Sequence, residues 1–467
     1  MRHKCRTKHI KERNTSNLMN LLKTVGIFFI ANLLFSCTED PIETPFEDDL
    51  NKQLAIAITS ASKIGRMHYF ILESEYNLKY LPNQDPGNPI TPEKVELGKM
   101  LFFDTGLAQD AKLESGYETY SCATCHIPSA GFLPGRKQGI ADGAYGYGTL
   151  GSKRLIQDGY AETDLDAQGV RPLTTLNVAY MTNTLWSGLF GATGVNTGTE
   201  EVWNGPLSEV NHLGFVGLES QNIEGVELHR LALNEHVLEN YGYRELFDKA
   251  FPDLPESERY SKKAVSFALG AYLRTLLTTR APFQLWLKGD WEAMTDGQKK
   301  GALIFFGKGR CSVCHNGPSF SSMNFHALGT KDLYEAGGLN TGADDPRNLG
   351  RGMFTGKEED NFRFKVPQLY NLRDYVSYFH GSSKESLEEV VEFKVKAQSE
   401  NSRVPNDRLS SSFEPLNLTQ TEKNELIDFL RNGLYDPDVE RYAPQSLPSG
   451  NCFPNNDKLS RKEIGCE

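Results

Sequence analysis

The chain has 467 residues, of which 39% are hydrophobic and 24% charged, and carries a net charge of −11 at pH 7. That is room for two or three domains with real cores, in the balance of an ordinary globular protein and not of a disordered or fibrous one. The acidic excess excludes nucleic acid as an expected partner and suits a small basic protein instead.

The N-terminus is basic through Arg2, Lys4, Arg6, Lys8, Lys11 and Arg13, and an apolar run follows from Leu21 to Phe35. This is the pattern of an export signal, and the run is short for a full membrane span. Leu34-Phe35-Ser36-Cys37 resembles a bacterial lipobox, so residues 1–36 are expected to be removed and Cys37 to carry a lipid anchor. An uncleaved membrane anchor is the alternative. Either way the functional part lies outside the cytoplasm, as a periplasmic or outer-membrane-anchored lipoprotein. Residues 37–90 then read as a tether and an N-terminal helix. The tether is acidic and carries two prolines, and the helical pattern runs from Lys52 to about Tyr80 through Leu54, Ile58, Ile64, Tyr69, Ile71 and Leu72.

A second helix opens at Thr91-Pro92, with Thr91 as N-cap and Pro92 in the first turn, and runs to Leu101-Phe102-Phe103. Ser121-Cys122-Ala123-Thr124-Cys125-His126 follows. Cys-x-x-Cys-His is the attachment signature of a c-type haem: each thiol forms a thioether to a haem vinyl group, and the histidine is placed under the iron. The signature returns at Cys311, Cys314 and His315, whereas this cysteine and histidine content would give about 0.003 copies by chance. A helix of the same design precedes the second copy, with a Thr295/Gln298 capping box. In both helices a glycine, Gly98 or Gly301, stands three residues before an apolar-Phe-Phe triplet, which reads as an internal duplication.

Between the motifs lie Gly-rich loops from 131 to 169, then helical patterns over 224–250 and 261–287. A last helix is expected from Thr419 to Asn432, with Thr419 and Glu422 as its capping box and Gly433 as its stop. Strand signals are few. Cys452 and Cys466 remain in a polar tail and leave no odd cysteine, so they read as a disulfide. The expected fold is mainly α: two cytochrome c-like haem domains with long loops, spanning 91–287 and 288–445, with the tail at 446–467.

Two such motifs in one exported chain resemble the bacterial di-haem cytochrome c peroxidases, whose relatives include the di-haem enzymes that mature tryptophan-derived quinones. Leu97-Gly98 to Asp104, both haem motifs, Leu176-Asn177-Val178-Ala179-Tyr180, Trp186-Ser187-Gly188, 364–372, Tyr378-Phe379-His380 and 387–391 carry the likeness. It implies two covalently bound haem c groups, with His126 and His315 as iron ligands. It further implies peroxide reacting at the first haem, electrons passing from the second, and Trp186 between them. Gln221 and Glu227 match the distal glutamine and glutamate, with Glu224 as the rival of Glu227; Glu227 would move the proton while Gln221 orients the peroxide.

Three departures stand out. No histidine occurs from Ile127 to Tyr180, where the family often has one that blocks the first iron, so that iron is expected to be open without reductive activation. His212, His229 and His236 are distant alternatives. Lys394 stands where relatives place the sixth ligand of the second haem, with Met323 and Met353 as other candidates. Arg171 stands where the family's interhaem calcium takes an asparagine, which puts calcium in doubt. The reading is a peroxidase that reduces hydrogen peroxide with electrons from a small cytochrome c or cupredoxin. The alternatives are a di-haem oxidase acting on a protein or organic substrate, and a non-enzymatic electron-transfer lipoprotein.

Overall fold

The structure is a computed structural model that describes residues 49–467; the signal segment and Cys37 lie outside the described residues. Its principal helices are α1 (Asp49–Ala61), α2 (Pro92–Phe103), α3 (Gly217–Leu228), α4 (Lys262–Arg274), α5 (Asp296–Phe306), α6 (Leu387–Lys396), α7 (Gln420–Asp428) and α8 (Lys458–Ile464). Two two-residue antiparallel ribbons complete the regular structure. One is β1 (Ala144–Tyr145) against β2 (Leu155–Ile156), with Ala144 opposite Ile156. The other is β3 (Phe325–His326) against β4 (Phe364–Lys365), with Phe325 opposite Lys365. The fold is mainly helical, and no helix among the described residues is long and apolar enough to cross a membrane.

The duplication read from Gly98 and Gly301 has a geometric cause. Thr91 caps α2 by accepting from the Lys94 amide, and α2 crosses α4 so closely that a Cβ on Gly98 would lie 2.0 Å from the Ala268 carbonyl oxygen. Thr295 and Gln298 cap α5 reciprocally, and α5 crosses α7 so that a Cβ on Gly301 would lie 2.1 Å from the Glu425 carbonyl oxygen. Only glycine permits either backbone approach. Each crossing is followed by the same pin. Asn177, at φ 57°, bonds the backbone and hydroxyl of Thr278 just past α4. Asn371, at φ 56°, bonds the backbone of Asp436 just past α7.

Three long helical patterns are broken. The first helix stops at Ala61 and gives way to 3₁₀ turns at Met67–Phe70 and Leu78–Tyr80. The 224–250 pattern contains the end of α3, then short helices at Glu235–Asn240 and Tyr243–Ala250. The 261–287 pattern ends at Arg274 and resumes at Pro282–Leu287, where Pro282 occupies a first-turn position and cannot continue a preceding helix.

Two hydrophobic cores result, and the chain ends cross between them. The first gathers Leu97, Phe102, Phe103, Phe247 and Tyr272, and takes in Val439, Tyr442 and Leu447 from near the C-terminus. The second gathers Phe283, Trp286, Phe305 and Phe429, and takes in Leu54, Ile58 and Phe70 from the N-terminal segment. Cys452 and Cys466 form a disulfide, Cα to Cα 6.1 Å.

Candidate haem sites

At the first site the single helical turn Cys122–Cys125 is held at its start by Thr124, whose hydroxyl accepts from the Ser121 amide at 3.0 Å. The chain then turns so that Ile127 pairs with Leu133, which brings the Phe132 carbonyl to 3.0 Å from His126 Nδ1. That carbonyl accepts the Nδ1 proton, fixes the tautomer and leaves Nε2 free to ligate. The second site repeats the device, with His315 Nδ1 2.7 Å from the Phe320 carbonyl. Phe132 and Phe320 both sit at φ 56°, left-handed backbone that a bulky residue adopts only where the surroundings impose it. Burial pushes both imidazoles down to about 4, against their carbonyl bonds, so each is neutral as an iron ligand must be. Burial also pushes the thiols of Cys122, Cys125 and Cys311 up to about 12.

The second site opens into about 1850 Å³ of empty space, mouth included, walled by Cys311, Cys314, His315, Trp186, Phe379 and Lys394 among others. Trp186 is 7% exposed. Its indole donates to the Arg171 carbonyl at 2.7 Å, and its ring meets Phe364 and His380 edge-on. The buried His380 ring stacks on Phe364 with centroids 3.6 Å apart. Its Nε2 pairs with Asp332 at 2.9 Å. This His–Asp pair joins segments 48 residues apart, and no local sequence signal marks it.

Lys394 lines the same cavity. Burial pushes its amine down to about 8, and it lies over the rings of Phe379 and Phe413. His326 lines it too, with Nδ1 held by Ser410 at 2.8 Å and a buried Nε2 that has no partner. Neither Met323 nor Met353 is on the wall; Met353 packs against the cluster of Trp203 and Phe354 instead.

The first site is walled by charge. The Asp166 carboxylate acts on both Cys122 and Cys125, and the Arg154 and Arg136 guanidiniums act on Cys125. His229 Nδ1 lies 2.8 Å from Asp166 Oδ2, and the charges of His229 and His126 oppose each other. Burial disfavours charge on His229, but Asp166 outweighs it and raises the ring above its ordinary value.

The sequence profile of the di-haem cytochrome c peroxidases matches residues 92–292. The methylamine utilization protein MauG of Methylorubrum extorquens is 29% identical over 386 residues, which cover 82% of this chain and 89% of that protein. Cytochrome c peroxidase Ccp of Escherichia coli is 26% identical, over 75% of this chain and 60% of its own. Over residues 92–292 the chain is of the di-haem cytochrome c peroxidase family. The crystal structure of a MauG-like protein associated with microbial copper homeostasis shares the fold, with a TM-score of 0.53, 23% identity, and coverage of 79% of this chain and 96% of that one.

The family's two c-type haems fit the residues present: paired thiols, a neutral imidazole with its outer nitrogen fixed, and, at the second site, an apolar cavity. Glu227, the residue expected to move the proton, lies exposed near the end of α3. Its side chain is 73% exposed and ion-paired with Lys262 at the start of α4, and Lys262 lowers its carboxyl. Glu224 is half-buried and its carboxyl is raised, chiefly by burial and next by Glu227. Gln221 is half-buried on the same helix. The buried Arg171 donates from Nε to the Phe379 carbonyl at 2.9 Å and lies over the Tyr375 ring. Among the described residues no cluster of three or more His, Cys, Asp or Glu side chains is arranged to hold a metal ion.

Proposed function

We propose that this family member reduces hydrogen peroxide to water at the haem held by Cys122, Cys125 and His126. Cys311, Cys314 and His315 would hold the second haem, which would supply the path for electrons from a small reduced cytochrome c or cupredoxin. The observation that carries this reading is the unlikeness of the two sites around a shared frame. The first has the Asp166–His229 pair beside its motif, while the second is lined by aromatic rings together with Lys394, His326 and the His380–Asp332 pair.

The haems supply the redox chemistry; the chain supplies position and electrostatics. The Phe132 and Phe320 carbonyls fix both imidazoles through Nδ1 and would leave the outer nitrogens to ligate the irons. Lys394, on the wall of the second cavity, would close the far side of that haem and bias its potential. Trp186 stands on the same wall, with Arg171 and His380 fixing the strip around it. Gln221 is the residue that would orient peroxide from α3. In this reading the protein works outside the cytoplasm on a lipid anchor, which the basic leader and the lipobox-like stretch ending at Cys37 support.

Mixing the oxidised and half-reduced holoprotein with peroxide in a stopped-flow spectrometer tests the proposal. A fast peroxide-dependent change, followed by oxidation of two reduced cytochromes per peroxide, is the expected result. No reaction in either redox state overturns it and leaves electron transfer alone. The identity with MauG favours a second reading, oxidation of a protein or organic substrate. A fast reaction with peroxide that no small donor then drains would select it.

A further inference from the structure

His229 follows directly on α3 and is its C-cap. Its Nδ1 lies 2.8 and 3.1 Å from the two oxygens of Asp166. Asp166 is itself buried and tied by its backbone to Asp142. With that carboxylate accepting, Nδ1 carries the proton of the neutral ring and Nε2 keeps its lone pair. The side chain is 37% exposed. The pair lies beside the first haem motif: Val226, on the helix that His229 ends, shares a core with Ala123, against which Cys122 and Cys125 pack, and the Asp166 carbonyl accepts from the Ala141 amide, two residues past Gly139, where a Cβ would lie 2.5 Å from Cys125 Sγ.

The helix leading to it is cut to match. Asn222 lies seven residues before His229, two turns back on one face, and its buried amide nitrogen has no partner in the protein. Gly225 stands between them. A Cβ there would touch only His229 Cδ2, at 3.9 Å, so the face is open beside the ring.

We propose that His229, oriented by Asp166, is the proton-transferring group at the first haem, in the role expected of Glu227. The proposal rests on the peroxide-reducing reading. Nε2 takes the proton from one oxygen of H₂O₂ and returns it to the other. The O–O bond breaks and the doubly protonated oxygen leaves as water. The haems, when bound, would supply the two electrons, drawn in turn from the external one-electron donor, that with two protons from solvent carry the remaining oxygen to the second water. The sum is H₂O₂ + 2 e⁻ + 2 H⁺ → 2 H₂O.

The test uses the holoprotein with both haems and the variants His229→Gln and Asp166→Asn. Two rates are read: consumption of peroxide and binding of cyanide to the oxidised first haem. Cyanide is the second probe because HCN must give up its proton to bind. General acid–base help is worth about 10²–10⁴-fold, so His229→Gln is expected to slow both rates by about 10²-fold or more with the first haem's coordination unchanged. Asp166→Asn keeps the ring but removes its orienting acceptor, so it is expected to slow both by a smaller factor, and it decides the matter if His229→Gln does not fold. Unchanged rates in both variants overturn the proposal. So does a first haem that is six-coordinate in the native protein and five-coordinate in His229→Gln, which would make His229 a ligand. If the native protein ignores peroxide while His229→Gln still slows cyanide, the peroxide reading falls and the proton-handling role stands. Peroxide turnover that is indifferent to both variants removes His229 alone.

Discussion

In the first lobe α2 crosses α4 at Gly98, and in the second α5 crosses α7 at Gly301. In both, a phenylalanine at φ 56° returns its carbonyl to the motif histidine. The linings then diverge. The first lobe is locked by ions: Arg274 and Glu219, 1% and 0% exposed, pair through both oxygens. Asn88 joins them at 3.0 Å and so ties the 83–88 loop to α3 and α4. The second lobe is locked by a neutral amide, Gln284, whose two ends bond Leu72, Phe70 and Tyr370. A repeated frame decides where an iron can sit, and what is grafted round it decides what that iron is for.

The comparison breaks most completely at the thiols. Replacing Cys122 and Cys125 by alanine, or Cys311 and Cys314, should each remove one of the two covalent haems, read as a halved haem-to-protein ratio. Next, Lys394→Ala should turn the second haem from six- to five-coordinate in its electronic spectrum and leave the first untouched; a spectrum moved by His326→Ala alone would transfer that place to His326. Arg274→Met strands Glu219 in the first lobe and should cost about 3–5 kcal/mol in chemical unfolding, as breaking a buried pair does. Gly98→Ala and Gly301→Ala should destabilise by similar amounts, about 1–3 kcal/mol each by overpacking; a large difference between them would show that the two crossings are not equivalent. Glu227→Gln should change neither peroxide turnover nor melting temperature.

The haem positions were legible because Cys-x-x-Cys-His concentrates three ligating groups in five residues, and the duplication because glycine and the Phe-Phe pair recur at fixed offsets. Glu227 and Gln221 stand on different faces of α3 for a reason already in the helix period. Gln221 and Glu227 are six residues apart and so point about 120° away from each other, and they cannot address one small pocket together. His229 stood out only as a distant alternative for the first iron, because its partner Asp166 lies 63 residues earlier in the chain. Lys394 was visible as a position but not as a cavity wall, since burial by Phe379 and Phe413 is a tertiary fact. The break at Pro282 was written in the sequence and overridden by an apolar stripe that ran through it.

The crossing of the chain ends has a consequence for anyone dividing the molecule. α1 and Phe70 belong to the core around the later haem motif, and Val439, Tyr442 and Leu447 to the core around the earlier one. Severing the polypeptide between its two halves would leave each fragment without a strip of its own interior. Neither half is a detachable cytochrome, and the pair is built to mature as a single object.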